Sequence, residues 1–111
     1  GELAVTLPPN PGQGGRNQHF TLHCALELQR RNQTATILSA GSDGIDGHSP
    51  SAGALANQTT AHRATALHLD PEAALATFDT YPLFAALGDA ILTGPTGNNL
   101  RDLRLLLTEP T

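Results

Sequence analysis

Three short blocks of this 111-residue sequence gather residue types that can hold an anion: Gly14-Gly15-Arg16-Asn17-Gln18, Gly41-Ser42-Asp43-Gly44-Ile45-Asp46-Gly47 and Thr93-Gly94-Pro95-Thr96-Gly97-Asn98-Asn99. Glycine leaves backbone N–H groups unobstructed, and consecutive N–H groups in a turn or at a helix start cradle negative charge. The alternative is that these glycines only permit tight turns, but three such loops in one short domain exceed what connectivity requires. Arg16 adds a guanidinium, which grips a carboxylate or phosphate through two parallel hydrogen bonds and keeps its charge. Its place beside a helix start predicts that the free helix N–H groups face the same anion. Asp43 and Asp46 offer carboxylate oxygens suited to a hard cation such as magnesium; as turn formers they would instead accept local N–H bonds. The stretch Gly41-Ser42-Asp43-Gly44 lacks the Gly-x-Ser-x-Gly spacing of a hydrolase elbow, so no nucleophilic serine is read here.

The elements that must position these loops follow from patterning. The apolar run over 3–7 reads as a strand stopped by Pro8-Pro9-Asn10-Pro11-Gly12. Residues 18–31 have helical composition, with Asn17 placed as the N-cap. Phe20, Leu22, Cys24, Ala25, Leu26 and Leu28 cover a broad arc of that helix, so it should pack on two sides, leaving His19, His23, Glu27 and Arg30 on a polar strip. The strip reads as solvated rather than metal-binding, and His62 and His68 are read the same way. A strand over 35–40 delivers the second glycine-rich loop. The alanine-rich stretch 51–69 reads as one or two helices. Asp70-Pro71-Glu72 opens a short helix to Ala76, with a cap and a first-turn proline. A further helix over 82–87 stops at Gly88, and apolar runs at 90–93 and 103–107 read as strands. The pattern predicts a single α/β domain, a mixed sheet with packed helices and the glycine-rich loops gathered at one edge.

Composition narrows the partners. The six basic residues, all arginine, against ten acidic ones give a net charge of -4, which disfavours nucleic acid and anionic membrane. No run approaches the ~18 apolar residues of a membrane helix, and the lone Cys24, in a buried-helix context, fits a reducing cytoplasm. There is no methionine and no lysine. A chain opening on Gly1-Glu2 within a strand-like run is expected to be a piece of something longer.

The three blocks, in this order and together with Asp102-Leu103-Arg104, Leu69-Asp70-Pro71 and Tyr81-Pro82, resemble the signature of the MOFRL domain, the C-terminal part of class II glycerate kinases, whose members often carry the name hydroxypyruvate reductase. The resemblance spans residues 1–111. It implies ATP- and Mg²⁺-dependent phosphorylation of glycerate, at the 2-hydroxyl, in a cleft shared with a larger Rossmann-like N-terminal domain that supplies a lysine. The partner is thus a small glycerate-like hydroxy acid, and homo-oligomerisation is left open. Arg16 corresponds to the family's active-site arginine. Substrate and phosphate binding are expected at Gly14, Gly15, Asn17, Gln18, Gly41, Ser42, Gly44, Thr96, Gly97 and Asn99, with Asp43 and Asp46 toward the metal. The alone-standing chain should be inactive. Two departures put substrate identity in question: His19 stands where the family pattern has glutamate, and His48-Ser49-Pro50 replaces Pro-Thr-Asp. A nicotinamide-dependent reductase and a non-catalytic binding module are the competing readings. No Gly-x-Gly-x-x-Gly fingerprint is present for the former.

Overall fold

The computed structural model describes residues 12–98 and 101–108; the expected strand over 3–7 lies outside them. In chain order the elements are α1 (Arg16–Arg30), β1 (Ala35–Gly41), β2 (Gly53–Asn57), α2 (Thr60–Ala66), α3 (Pro71–Ala76), α4 (Thr80–Leu87), β3 (Ala90–Ile91) and β4 (Asp102–Thr108). The strands lie in the order β3-β2-β1-β4, giving the α/β layer structure that the sequence predicts. A mixed sheet was the expectation, and the three ladders among the described residues are all antiparallel.

Helix α1 organises the domain. It packs on β1 and β2 on one side and on α2, α3 and α4 on the other, the two-sided packing expected from its broad apolar arc. Leu22 and Ala25 reach the core, where they meet Ile37, Ala54, Ala56, Ala64, Leu83 and Phe84. Its C-terminus is a Schellman motif: Asn32 takes the left-handed conformation (φ 54°), Gln33 N donates to Leu28 O, and Asn32 N donates to Gln29 O. Cys24 is half-buried beside this core; burial pushes its thiol pKa up, more than the nearby Arg104 pulls it down, so it behaves as a small hydrophobe.

The stretch expected to be helical from residue 51 instead begins with β2, and helix starts only at Thr60. Ala54 and Ala56 alternate with Leu55 and Asn57, and β2 is paired on both sides, to β1 and to β3. Alanine's helix propensity is a weak prior that tertiary pairing overrides. Small side chains on this central strand let α1 approach closely, which a run of bulky residues would prevent. The later helices match their local signals. Asp70 accepts the Ala73 N–H at 3.1 Å with Pro71 in the first turn, and α4 ends at Gly88 with φ 77°.

Candidate functional site

Three element ends meet at one edge of the sheet: the start of α1, the end of β1 and the start of β4. The loop after β1 ties them together. His48 N donates to Gly14 O at 2.9 Å, bringing the second loop onto the first. Thr96 N donates to Asp43 O at 3.0 Å, and Thr96 Oγ1 donates to Ser42 O at 2.5 Å, which brings the third loop onto the second. The gathering expected from sequence is therefore present. Between the first and second loops lies a cavity of about 340 Å³. Gly14, Gly15, Arg16, Asn17, Gly41, Ser42, Asp43 and Asp46 line it. Gln18 is buried beneath it, and Gly44 packs against Gly94 with φ 85°. Thr96 braces the second loop from outside the lining, Gly97 is exposed with φ 73°, and Asn99 lies outside the described residues.

Asp46 is the centre of this arrangement. One carboxylate oxygen accepts Asn17 N at 3.0 Å and Asn17 Nδ2 at 3.2 Å; the other accepts Gln18 N at 2.8 Å and Gln18 Nε2 at 3.0 Å. Its residue is 3% exposed. Four donors use the acceptor positions of a carboxylate, so Asp46 caps α1 from 29 residues downstream. This revises two expectations. The helix runs from Arg16 with Gly15 as an extended, side-chain-free N-cap, not from Gln18 with Asn17 as the cap. The Asn17 and Gln18 N–H groups, expected to be free for an external anion, are already bound to an internal one. Gly15 is glycine because a Cβ there would collide with the Asp46 side chain. Asn17 extends the network, accepting from Ser39 Oγ at 2.6 Å and donating through Nδ2 to Asp102 Oδ1 at 3.2 Å.

Asp43 is less committed. Its Oδ1 accepts Ile45 N at 3.0 Å, the local turn contact weighed from sequence. A Cβ on Gly41 would lie 3.1 Å from Asp43 Oδ1 and 3.6 Å from Asp102 Oδ1, so two carboxylates converge over that glycine. Among the described residues no group of three or more His, Cys, Asp and Glu side chains could hold a metal by itself. Magnesium needs less from the protein, since one or two carboxylates suffice where phosphates and water complete its shell. The pair Asp43 and Asp102 fits that requirement, whereas Asp46 has no oxygen left to offer.

Four further residues of chemical interest line the cavity: Phe78 and Arg101, which the sequence does not single out, Asp102, expected only as part of the family signature, and His19, which the sequence reads as solvated and the structure places half-buried. The His19 ring stacks on Phe78, with centroids 4.4 Å apart and 11° between planes, and its Nδ1 is buried without a hydrogen-bond partner. Burial, and then the charge of His23, push its pKa below the ordinary imidazole value. The folded state therefore binds this proton less readily than the unfolded state. The resulting stability is full above about pH 6.5, the unfolded value, and is lost as the pH falls through the folded value. His19→Phe keeps the stack and removes the titration. Its thermal midpoint should fall less steeply than the parent's on acidification below about pH 6.5; parallel profiles would show that His19 does not carry this dependence.

A model of the MOFRL family matches residues 1–102. The chain belongs to the MOFRL family. Among its relatives, a D-glycerate 2-kinase from Thermotoga maritima is 38% identical over 103 residues, covering 93% of this chain and 24% of the relative. A glycerate kinase from Mus musculus is also 38% identical, covering 99% of this chain and 22% of its own length. A relative from Agrobacterium vitis, provisionally named a hydroxypyruvate reductase, is 39% identical over 96% of this chain and 28% of its own. The crystal structure of glycerate kinase from Thermotoga maritima superposes with a TM-score of 0.88 at 36% identity, over 98% of this chain and 26% of that one. The chain thus spans about a quarter of the length of these MOFRL relatives. Among the described residues no helix is long and apolar enough to cross a membrane.

Proposed function

We propose that this MOFRL domain is the C-terminal part of a glycerate kinase that transfers the γ-phosphoryl group of ATP to the 2-hydroxyl of glycerate, giving 2-phosphoglycerate. The observation that carries this reading is one cavity between the first two glycine-rich loops, the second braced by the third, with the exposed Arg16 on its wall, in a chain similar to glycerate kinases. Phosphoryl transfer asks chiefly for positioning and charge neutralisation. Arg16 would hold an oxygen of the transferred group or of the acceptor carboxylate. Glycines of the first two loops let ligand oxygens approach the backbone. Asp43 and Asp102 would hold magnesium, which neutralises charge on the phosphates when bound. Asp46 acts behind them as a positioning residue, fixing the helix start on which Arg16 sits.

The chain has no lysine, so an ammonium contribution, and the opposite wall of the cleft, come from an N-terminal domain in this proposal. ADP release by the full-length protein with glycerate, ATP and Mg²⁺ tests it directly, with the phosphorylated position read by enzymes specific for 2- or 3-phosphoglycerate. Turnover is expected from the full-length protein and not from residues 1–111 alone. NADH or NADPH oxidation with hydroxypyruvate and no ADP release would favour the reductase reading, which the name of the Agrobacterium vitis relative supports. Activity in neither assay would favour a binding module.

A further inference from the structure

The six arginines of this chain are its only Lys or Arg cations, and they differ in exposure and partner. Arg30 and Arg31 both pair with Glu27, at 2.5 and 3.2 Å. Arg63 pairs with Asp89 at 2.9 Å and donates to Leu87 O at 3.1 Å. Arg104 also has no hydrogen bond or ion pair among the described residues, its Nε and Nη2 being buried without one, but its guanidinium is packed over the Phe20 ring, 4.3 Å from the centroid, and it does not line this cavity. The remaining two, Arg16 and Arg101, have exposed guanidinium groups with no hydrogen bond or ion pair among the described residues, and both line the same cavity. Surface cations are ordinarily free to wander, but the backbone of Arg101 is not. Arg101 N donates to Ser42 Oγ at 3.0 Å, and Ser42 N donates to Arg101 O at 3.1 Å.

The cavity carboxylates leave these two guanidinium groups unpaired: among the described residues no ion pair joins Asp43, Asp46 or Asp102 to Arg16 or Arg101. Asp46 is filled by four N–H donors, Asp102 Oδ1 accepts Asn17 Nδ2, and Asp43 Oδ1 accepts Ile45 N. Each unpaired guanidinium offers its two-pronged donor face to an oxyanion, which favours a ligand with an anionic group at both positions. We infer that Arg101 is a second oxyanion-holding residue of the cavity, so that the bound ligands present two separate anionic groups, one to Arg16 and one to Arg101. The shared chemistry is an oxyanion, either the carboxylate of the hydroxy acid or a phosphoryl group of the nucleotide. That assignment rests on the kinase reading above; the presence of a second oxyanion position does not.

Arg101→Ala removes only the free guanidinium and leaves both backbone bonds to Ser42, so the fold should survive, as an unchanged thermal midpoint would verify. In the full-length protein, calorimetric titration with inorganic phosphate and with glycerate should show affinity for at least one of them lowered about tenfold or more, the scale of one lost two-pronged charged contact. Arg101→Lys should recover part of the loss, because an ammonium keeps the charge without the fork. In turnover assays, a raised KM for glycerate with an unchanged KM for ATP assigns the carboxylate to Arg101; the reverse assigns the nucleotide. Parental affinities in Arg101→Ala, or a parent that binds neither probe, would overturn the inference. A parent that binds phosphate through Arg101 but transfers no phosphoryl group would leave the second oxyanion position standing and sink the kinase reading instead.

Discussion

Asp46→Ala should lower the stability of this domain by about 3–5 kcal/mol, the scale of removing one partner from a buried charged network. The substitution strips the acceptor from two helix N–H groups and two side-chain amides at once. Asn17 and Gln18 are 2% and 0% exposed, so water cannot easily replace the lost carboxylate. Each orphaned donor then retains its full desolvation cost. Asn17 would also lose one of the contacts that align it with Ser39 and Asp102, loosening the junction between α1, β1 and β4. Asp46→Asn is the sharper control: its shape is nearly the same, but an NH₂ group now faces N–H donors. It should fall close to the alanine variant rather than the parent. At ~4–8 °C per kcal/mol for a domain of this size, Asp46→Ala should melt at least ten degrees or so below the parent. A midpoint within about two degrees of the parent, where a loss of this size cannot hide, would show that the carboxylate is not the helix cap.

Asp46 also shows where the sequence stops being legible. Caps built from neighbouring residues were readable: Asp70 before Pro71 and Gly88 after Leu87 act as their types predict. The cap of α1 comes from another loop, and residue types around Gly15 carry no trace of a partner so distant in sequence. Local signals point instead to Asn17, which has a capping side chain but spends it inside the network. The second loop has the composition of a ligand cradle, and part of that composition has an internal cause: Gly44 is held at φ 85° against Gly94. The strand β2 was hidden because Ala54 and Ala56 are good helix formers whose strand role depends on flanking β1 and β3. Arg101 is not legible in the sequence because its meaning depends on exclusion. It counts only once Arg30, Arg31, Arg63 and Arg104 are seen to be engaged elsewhere, and engagement of that kind is a three-dimensional fact. The three loops were legible because glycine density survives in sequence whatever its reason.

Arg16→Ala should lower kcat/KM for glycerate in the full-length protein by ~10²–10³-fold, about 3–4 kcal/mol of transition-state stabilisation, the range found on removing a preorganised charged or hydrogen-bonding donor. The structure sharpens the reason. Since Asp46 occupies the Asn17 and Gln18 N–H groups, the start of α1 gives an incoming anion little direct hydrogen bonding there, and the guanidinium must supply the attraction itself. What the helix supplies is placement: Arg16 is its first residue, on a turn pinned by the Asp46 contacts. Folding should be nearly indifferent to the change, because the Arg16 side chain is exposed and makes no ion pair among the described residues; substitutions of that kind usually stay within ±0.5 kcal/mol. Arg16→Lys should restore only a fraction of the activity, since a point charge cannot reproduce two parallel hydrogen bonds. The contrast with Asp46→Ala separates the two roles: one variant loses catalysis with its melting temperature intact, the other loses both together. If Arg16→Ala keeps parental kcat/KM, the arginine is not part of the reacting site; if its thermal midpoint drops as far as that of Asp46→Ala, it belongs to the scaffold instead.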